Sequence, residues 1–399
     1  MLSKEQLEKY VDALWWGLTT ARTKPYEKGD MILIRYEAEA QPLAEVMFRH
    51  LIEKGMNPVP RLSLSPDMEK SFYGLGNDDQ LEFIAPGDKE FTDNLHGLIV
   101  LLAPASLTHL AEVDPSRMGK CAVARKVLRD IMEVREQKGE LGWTLCSYPT
   151  KAMAESAGLS IEEFTAQIVK ACYLDEEDPA ACWNGVFEKA AEVKSWLNGL
   201  GIESYRVVTE DMDLVVKHGE LRQWIGVSGH NIPSFELFIS PDWRGTSGVY
   251  YADQPSFRSG NYVEGVRLVF EDGVATQISA KEGEEFVKKQ LAMDIGASRL
   301  GEFSLTDRRF SRIDKFMANT LYDENYGGEF GNCHVAVGAS YADTYAGDQE
   351  ELDESRKDEL GYNTSALHWD LVNTQDKTVY ARLKDGSEVV IYKSGEFQI

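Results

Sequence analysis

The run Gly97-Leu-Ile-Val-Leu-Leu-Ala103 constrains the fold of this chain more than any other stretch. An unbroken apolar segment of strand length has no wet face, so it belongs in a sheet covered on both sides, as parallel sheets are. The flanking sequence agrees. Leu7, Val11, Leu14 and Leu18 recur at helical spacing behind a Ser3-x-x-Gln6 capping box. Met31 to Tyr36 reads as a strand, Pro42 to Lys54 as a helix that opens on proline and stops at Gly55, and Val59 to Leu64 as another strand. A helix is expected from Asp114-Pro115 through Val123, Val127 and Ile131, a strand from Trp143 to Tyr148, and helices from Ser160 and from Asp178-Pro179. Alternation of this kind implies an α/β domain with an open, mostly parallel sheet.

Such sheets often bind nucleotides, but Gly74-Leu-Gly76 is followed by Asn77-Asp78-Asp79 and not by a third glycine opening a helix, and no Gly-Lys-Ser/Thr run exists. Beyond Asn198-Gly-Leu-Gly201 the texture changes. Tyr205 to His218, Gly248 to Ala252, Gly265 to Ala280 with a turn at Glu271-Asp-Gly273, and Val379 to Tyr392 with a turn at Lys384-Asp-Gly386 read as strands and hairpins. Helices are expected at Glu284 to Met293 and Arg312 to Thr320. At 399 residues the chain is too long for one ordinary core. The reading is an α/β domain over 1–203 and an α+β domain with mixed or antiparallel sheet over 204–399.

The second half also places ionisable residues where burial is costly. Glu236 stands alone in Asn231-Ile-Pro-Ser-Phe-Glu-Leu-Phe-Ile, and Glu302 alone in Leu300-Gly-Glu-Phe-Ser-Leu. A buried lone carboxylate must be paired, hydrogen-bonded or bound to a metal. Glu329-Phe-Gly-Asn-Cys-His334-Val-Ala-Val-Gly338 adds a carboxylate and an imidazole, and period-2 alternation puts His334, Ala336 and Gly338 on one face with Cys333 on the other. In His368-Trp-Asp370 the same alternation aims imidazole and carboxylate together and Trp369 away. Each of these residues taken singly is more often an ordinary core or salt-bridge group. Together, Glu236, Glu302, Glu329, His334, His368 and Asp370 are six potential ligands. Carboxylates with imidazoles and no thiolate suit a pair of divalent ions such as Zn²⁺, Co²⁺ or Mn²⁺.

Composition narrows the partners. A formal net charge of -24 repels phosphate backbones and anionic lipid, so nucleic acid is not an expected partner. No apolar run approaches a membrane span. Five widely spaced cysteines, Cys121, Cys146, Cys172, Cys182 and Cys333, form no C-x-x-C, which argues for free thiols in a reducing compartment. The start, Met-Leu-Ser-Lys-Glu-Gln, lacks a signal-peptide layout, and the expected location is the cytoplasm. The acidic run Asp348 to Glu359 reads as a solvated helix or loop.

The order and spacing of Asn-Ile-Pro-x-x-Glu236, Leu-Gly-Glu302, Glu329-x-x-x-x-His334-x-Ala-x-Gly, Tyr341 and His368-x-Asp370 resemble the thermophilic aminopeptidase family of metallopeptidases, across most of the second half. The resemblance implies a homodimeric, two-domain, two-metal aminopeptidase that removes N-terminal residues from peptides. It carries the ligand role to Glu236, Glu302, Glu329, His334, His368 and Asp370, and a site role to Tyr341. The chain departs from the family in having Phe235 where relatives have Gly, and Ile239-Ser-Pro where they have Thr-Ala-Pro. Leu371-Val-Asn-Thr also replaces the usual aromatic and glycine turn after His-x-Asp.

The mechanism expected from that likeness needs no protein nucleophile, because metal-activated water attacks the amide. Glu302 or Glu236 would accept the water's proton and pass it to the leaving amine, and Tyr341 would donate to the oxyanion, or equally serve as a ligand or position the substrate. Two other functions compete with this one: a binding relative without turnover, and a two-metal phosphoester hydrolase. The charge and the lack of an Arg/Lys-Gly phosphate motif weigh against the latter.

Overall fold

The computed structural model describes residues 1–258 and 261–399. The chain divides into two compact units, Met1–Trp183 with Ser228–Pro233, and Asn184–Val227 with Ser234–Ile399.

The first unit is built on a five-stranded sheet in the order Asn57–Leu62, Met31–Tyr36, Gly97–Leu102, Gly142–Ser147, Asn231–Ile232. Every pairing is parallel. The apolar strand lies at the centre, with Ile99 and Leu101 fully buried on one face and Leu98 and Val100 clustered with Leu33, Leu95 and Leu141 on the other. Helix Lys4–Thr20 starts at the Ser3/Gln6 capping box and buries Val11, Leu14 and Leu18. The helix expected from 114 through 131 is two, Pro115–Ala124 and Lys126–Gln137, separated at Arg125 where ψ opens to 0°.

The second unit stacks two antiparallel sheets. One has eight strands, in the order Val274–Ser279, Val266–Glu271, Asp242–Ala252, Asp213–Lys217, Ile202–Val208, Thr378–Leu383, Glu388–Lys393, Glu396–Phe397. The hairpin joining its first two strands turns at Asp272 and Gly273, both with positive φ. The other sheet has four strands, in the order His368–Asn373, Asn332–Gly338, Leu300–Thr306, Glu236–Ile239. Tyr250 of the larger sheet donates from its hydroxyl to the carbonyls of Cys333 and Leu371, and the Tyr205 ring meets Phe303 at 5.3 Å. That face of the smaller sheet is therefore dry, with Leu237, Phe303, Leu305, Cys333, Val335 and Leu371 all at or below 1 % exposure. Its opposite face carries the polar residues. The five cysteines form no disulfide with one another.

Helix Glu284–Leu291 forms as expected, but the helix expected at Arg312 to Thr320 does not. Ala318 takes a left-handed φ of +49°, which no right-handed helix accommodates, and only Thr320–Asp323 is helical. The Asp323 carboxylate accepts the backbone N–H groups of Met317 and Asn319 at 2.7 and 2.8 Å, a local side-chain clamp that competes with the helix. The acidic run ends in the short helix Glu354–Leu360.

Candidate metal centre

The smaller sheet assembles the site through its register. Glu302 stands opposite Ala336, and Ala336 opposite Asp370. Ser304 stands opposite His334, Thr306 opposite Glu236, and Gly338 opposite His368. Residues opposite one another share a face, as do alternate residues along a strand, so Glu236, Glu302, His334, His368 and Asp370 all project from the side away from the dry core. Small Ser304, Ala336 and Gly338 between them leave room for the long side chains to converge. A bulge at Gly301 sets the aim of Glu302: a Cβ there would lie 2.2 Å from the Ala339 carbonyl, so only glycine fits.

Nε2 of His334 lies 3.0 Å from Glu302 Oε1, 3.2 Å from Glu236 Oε2 and 3.9 Å from Asp370 Oδ1. His334 is fully buried, and its Nδ1 has no hydrogen-bond partner among the described residues, so all its polar contacts are on the carboxylate side. Nε2 of His368 lies 3.4 Å from Asp370 Oδ1 and 3.9 Å from Glu302 Oε2. His368 Nδ1 is 2.9 Å from the Ala339 carbonyl, which can only accept, so Nδ1 carries a proton and Nε2 is the nitrogen turned to the carboxylates. Glu302 thus turns one oxygen to each imidazole. Ser304 donates to Glu236 Oε2 at 3.3 Å and holds that carboxylate in place.

Glu329 is not part of this group. Gly327 and Gly328 donate to the Ile313 carbonyl and Gly331 turns with φ +57°, so the loop leaves Glu329 exposed, with its carbonyl accepting from Arg308. Glu324 enters instead. It follows the short helix, is 9 % exposed, and has its carbonyl fixed by Thr306 Oγ1 and Asn332 Nδ2. Its neighbour Asn325 accepts the backbone N–H groups of Phe235 and Glu236 at 2.6 and 3.0 Å, tying this loop to the strand that bears Glu236. The signal in the sequence was Asp323-Glu324-Asn325 set directly after apolar Leu321-Tyr322. Phe235 is fully buried, outside the walls of the cavity beside the carboxylates.

Burial and like charge dominate the electrostatics. Burial pushes Glu236 up to about 8, with Glu302 and Asp370 adding to burial and His334 opposing it. Glu324 is raised well above the carboxylate range by burial and then by Glu236, Asp370 and Glu302. Burial pulls both imidazoles down, but the surrounding carboxylates outweigh it and lift His334 and His368 to about 9. Asp370 is also buried, yet His368, His334 and Arg258 hold it down at about 2. Tyr341 is 45 % exposed, and its ring packs 4.6 Å from that of His368; desolvation of the phenol and the carboxylates of the site keep it protonated, as a donor.

This donor set fits divalent cations. The ligand atoms of Glu236, Glu302 and His334 all lie within 4.8 Å of one another, and their chemistry, oxygen with imidazole nitrogen, is that of Zn²⁺, Mn²⁺ or Co²⁺ sites. Ionised Glu236, Glu302, Glu324 and Asp370 would supply four negative charges, the balance for two dications.

The family model described as thermophilic metalloprotease (M29) matches residues 3–397. Aminopeptidase AmpS of Bacillus subtilis (strain 168) is 25% identical over 397 residues, covering 93% of this chain and 94% of that protein. Aminopeptidase T of Thermus aquaticus is 30% identical over 313 residues, covering 73% and 74%. Among solved structures, wild-type AmpT from Thermus thermophilus superposes with a TM-score of 0.81 at 22% identity, covering 99% of this chain and 100% of that one, a likeness of fold.

Proposed function

The chain belongs to the thermophilic metalloprotease (M29) family, and from that premise we propose that it is a metal-dependent aminopeptidase, which hydrolyses the N-terminal peptide bond of short peptides. The observation that carries the reading is Glu302, whose two carboxylate oxygens face two different histidines, so that buried carboxylates and imidazoles converge as a set that would hold divalent ions. Glu236, Glu302, Glu324, His334, His368 and Asp370 would hold two divalent ions, zinc, cobalt or manganese, with Glu324 in the place expected for Glu329. Bound there, the ions supply Lewis-acid polarisation of the carbonyl and a water acidic enough to ionise near neutral pH.

The chain's own groups do the rest. The chain's formal net charge of -24 favours the approach of a peptide's cationic amino terminus. Glu236, raised by burial and seated by Ser304, has a pKa suited to accepting a proton from water and returning it to the leaving amine, and Glu302 is the other candidate for that transfer. Tyr341, held protonated beside His368, donates a hydrogen bond to the oxyanion. A homodimer located in the cytoplasm is part of the same reading, supported by the family likeness and by cysteines that form no disulfide with one another.

The test is metal content read beside activity on amino-acid p-nitroanilides and their N-acetylated forms. About two ions per chain, loss of hydrolysis on chelation and no cleavage of the acetylated substrates are expected. Undiminished hydrolysis after complete chelation would overturn the proposal.

A further inference from the structure

Asn325 stands between two of the carboxylates of the site without supplying one. It is fully buried just after the short helix Thr320–Asp323, and both ends of its side-chain amide are engaged. Oδ1 accepts the backbone N–H groups of Phe235 and Glu236 at 2.6 and 3.0 Å. Nδ2 donates to the Leu321 carbonyl at 3.0 Å and to Glu324 Oε1 at 3.5 Å. These partners settle which way the amide points, because a backbone N–H can only donate and a carbonyl can only accept. One planar group thus reaches from the main chain of Glu236 to the carboxylate of Glu324, across 89 positions of sequence. The main chain around it is held separately. The Glu324 carbonyl accepts from Thr306 Oγ1 and Asn332 Nδ2, and the Asn325 carbonyl from Ser311 Oγ. Those bonds leave the direction of the Glu324 side chain open. Glu236, Asp370 and Glu302 all act on its carboxylate with like charge, and among the described residues the donor that reaches it is Asn325.

We propose that Asn325 is a positioning residue of the metal centre, whose side-chain amide holds Glu236 and Glu324 at the separation that receives a divalent ion. The proposal rests on the metal-dependent reading above. Carboxylates of like charge turn away from one another unless something between them opposes it. A lysine or arginine in this place would cancel the negative charge that a cation needs, and a third carboxylate would add to the repulsion. A neutral amide does neither. Its oxygen anchors the strand that bears Glu236, whose carboxylate Ser304 already seats, and its nitrogen restrains the carboxylate of Glu324. The two ligands are then aimed before an ion arrives, so less order has to be imposed on binding.

The experiment strips the full chain with chelator, titrates it with Zn²⁺ or Mn²⁺, and reads metal affinity by calorimetry beside hydrolysis as a function of metal concentration. Asn325→Ala should weaken binding by roughly tenfold to a hundredfold, the scale for groups that orient ligands, and excess metal should return its hydrolysis towards the wild-type rate. Asn325→Asp keeps the size and the acceptor for both N–H groups but turns an oxygen to Glu324 in place of the donor. It should fold even if Asn325→Ala does not, and should still weaken binding by roughly tenfold or more. Ser311→Ala removes a hydrogen bond to the same loop and none to either carboxylate, so it should lower the melting temperature and leave metal affinity unchanged. A folded Asn325 variant with wild-type affinity would overturn the assignment. So would a Ser311→Ala protein that loses as much affinity as the Asn325 variants, because loop stability alone would then account for the effect. A wild-type chain that takes up no divalent ion would instead defeat the metal centre itself.

Discussion

Nε2 of His334 sits 3.0 Å from Oε1 of Glu302, although the register partner of His334 is Ser304 and that of Glu302 is Ala336. The two residues are diagonal neighbours on one face, close enough for long side chains to meet. Glu302→Gln keeps the shape and removes the charge, so hydrolysis should fall by orders of magnitude while circular dichroism stays that of the wild type. His334→Ala should do the same. Cys333→Ala, on the dry face, should keep activity and cost about 1 kcal/mol of stability or less. A folded Glu302→Gln protein with wild-type turnover would defeat the metal centre, and a Cys333→Ala protein that alone is inactive would call for thiol chemistry.

Glu324 and Glu329 differ in burial and in what surrounds them, and the difference can be read as metal stoichiometry. Glu324→Gln should lower both the bound metal and kcat by orders of magnitude, because a ligand is lost next to other buried carboxylates. Glu329→Gln, on an exposed loop, should leave both within about twofold of the wild type. The reverse pattern would return the ligand role to Glu329.

Removing the metal should loosen the second unit. Four carboxylates in one buried patch repel one another unless cations or protons lie between them. Chelation should therefore lower the melting temperature by about 5 °C or more, following the loss of ligand binding to the native state, and readdition of a divalent ion should restore it. Identical melting with and without chelator, at saturating metal beforehand, would contradict a buried cation site.

His218 provides a pH prediction away from the metal centre. Trp224 Nε1 can only donate, and it donates to the Tyr205 hydroxyl at 2.8 Å, which leaves the hydroxyl proton for His218 Nδ1 at 2.5 Å. That bond requires a neutral imidazole. Burial and then the Arg222 charge lower the histidine to about 4. Its folded pKa is below the unfolded one, so the unfolded state binds the proton first, and this contribution to stability is present above about 6.5 and lost as pH falls towards 4. The His218 ring resonances should stay flat above about pH 5 in the folded protein. A midpoint near the ordinary histidine value would refute this account.

What could be read from the sequence was local facing. The unbroken apolar run of 97–103 required a covered sheet, and it is the central strand of a parallel one. Two-residue alternation put His334 with Gly338 and His368 with Asp370, and register keeps those pairs on one face. Such statements depend only on the geometry of a single strand, which holds whatever it pairs with. The tertiary structure decided what lies across a loop. The helix foreseen at Arg312 to Thr320 gives way to a clamp on Asp323, and glycine turns leave Glu329 exposed while Glu324, just after the short helix, is buried. Both outcomes depend on hydrogen bonds to Asp323, to the Ile313 carbonyl and between Asn325 and the Glu236 strand. The Asp323 bonds span only four and six residues, whereas Asn325 and the Glu236 strand are far apart in sequence and meet only once the sheet has formed, so no local pattern of residues encodes that contact.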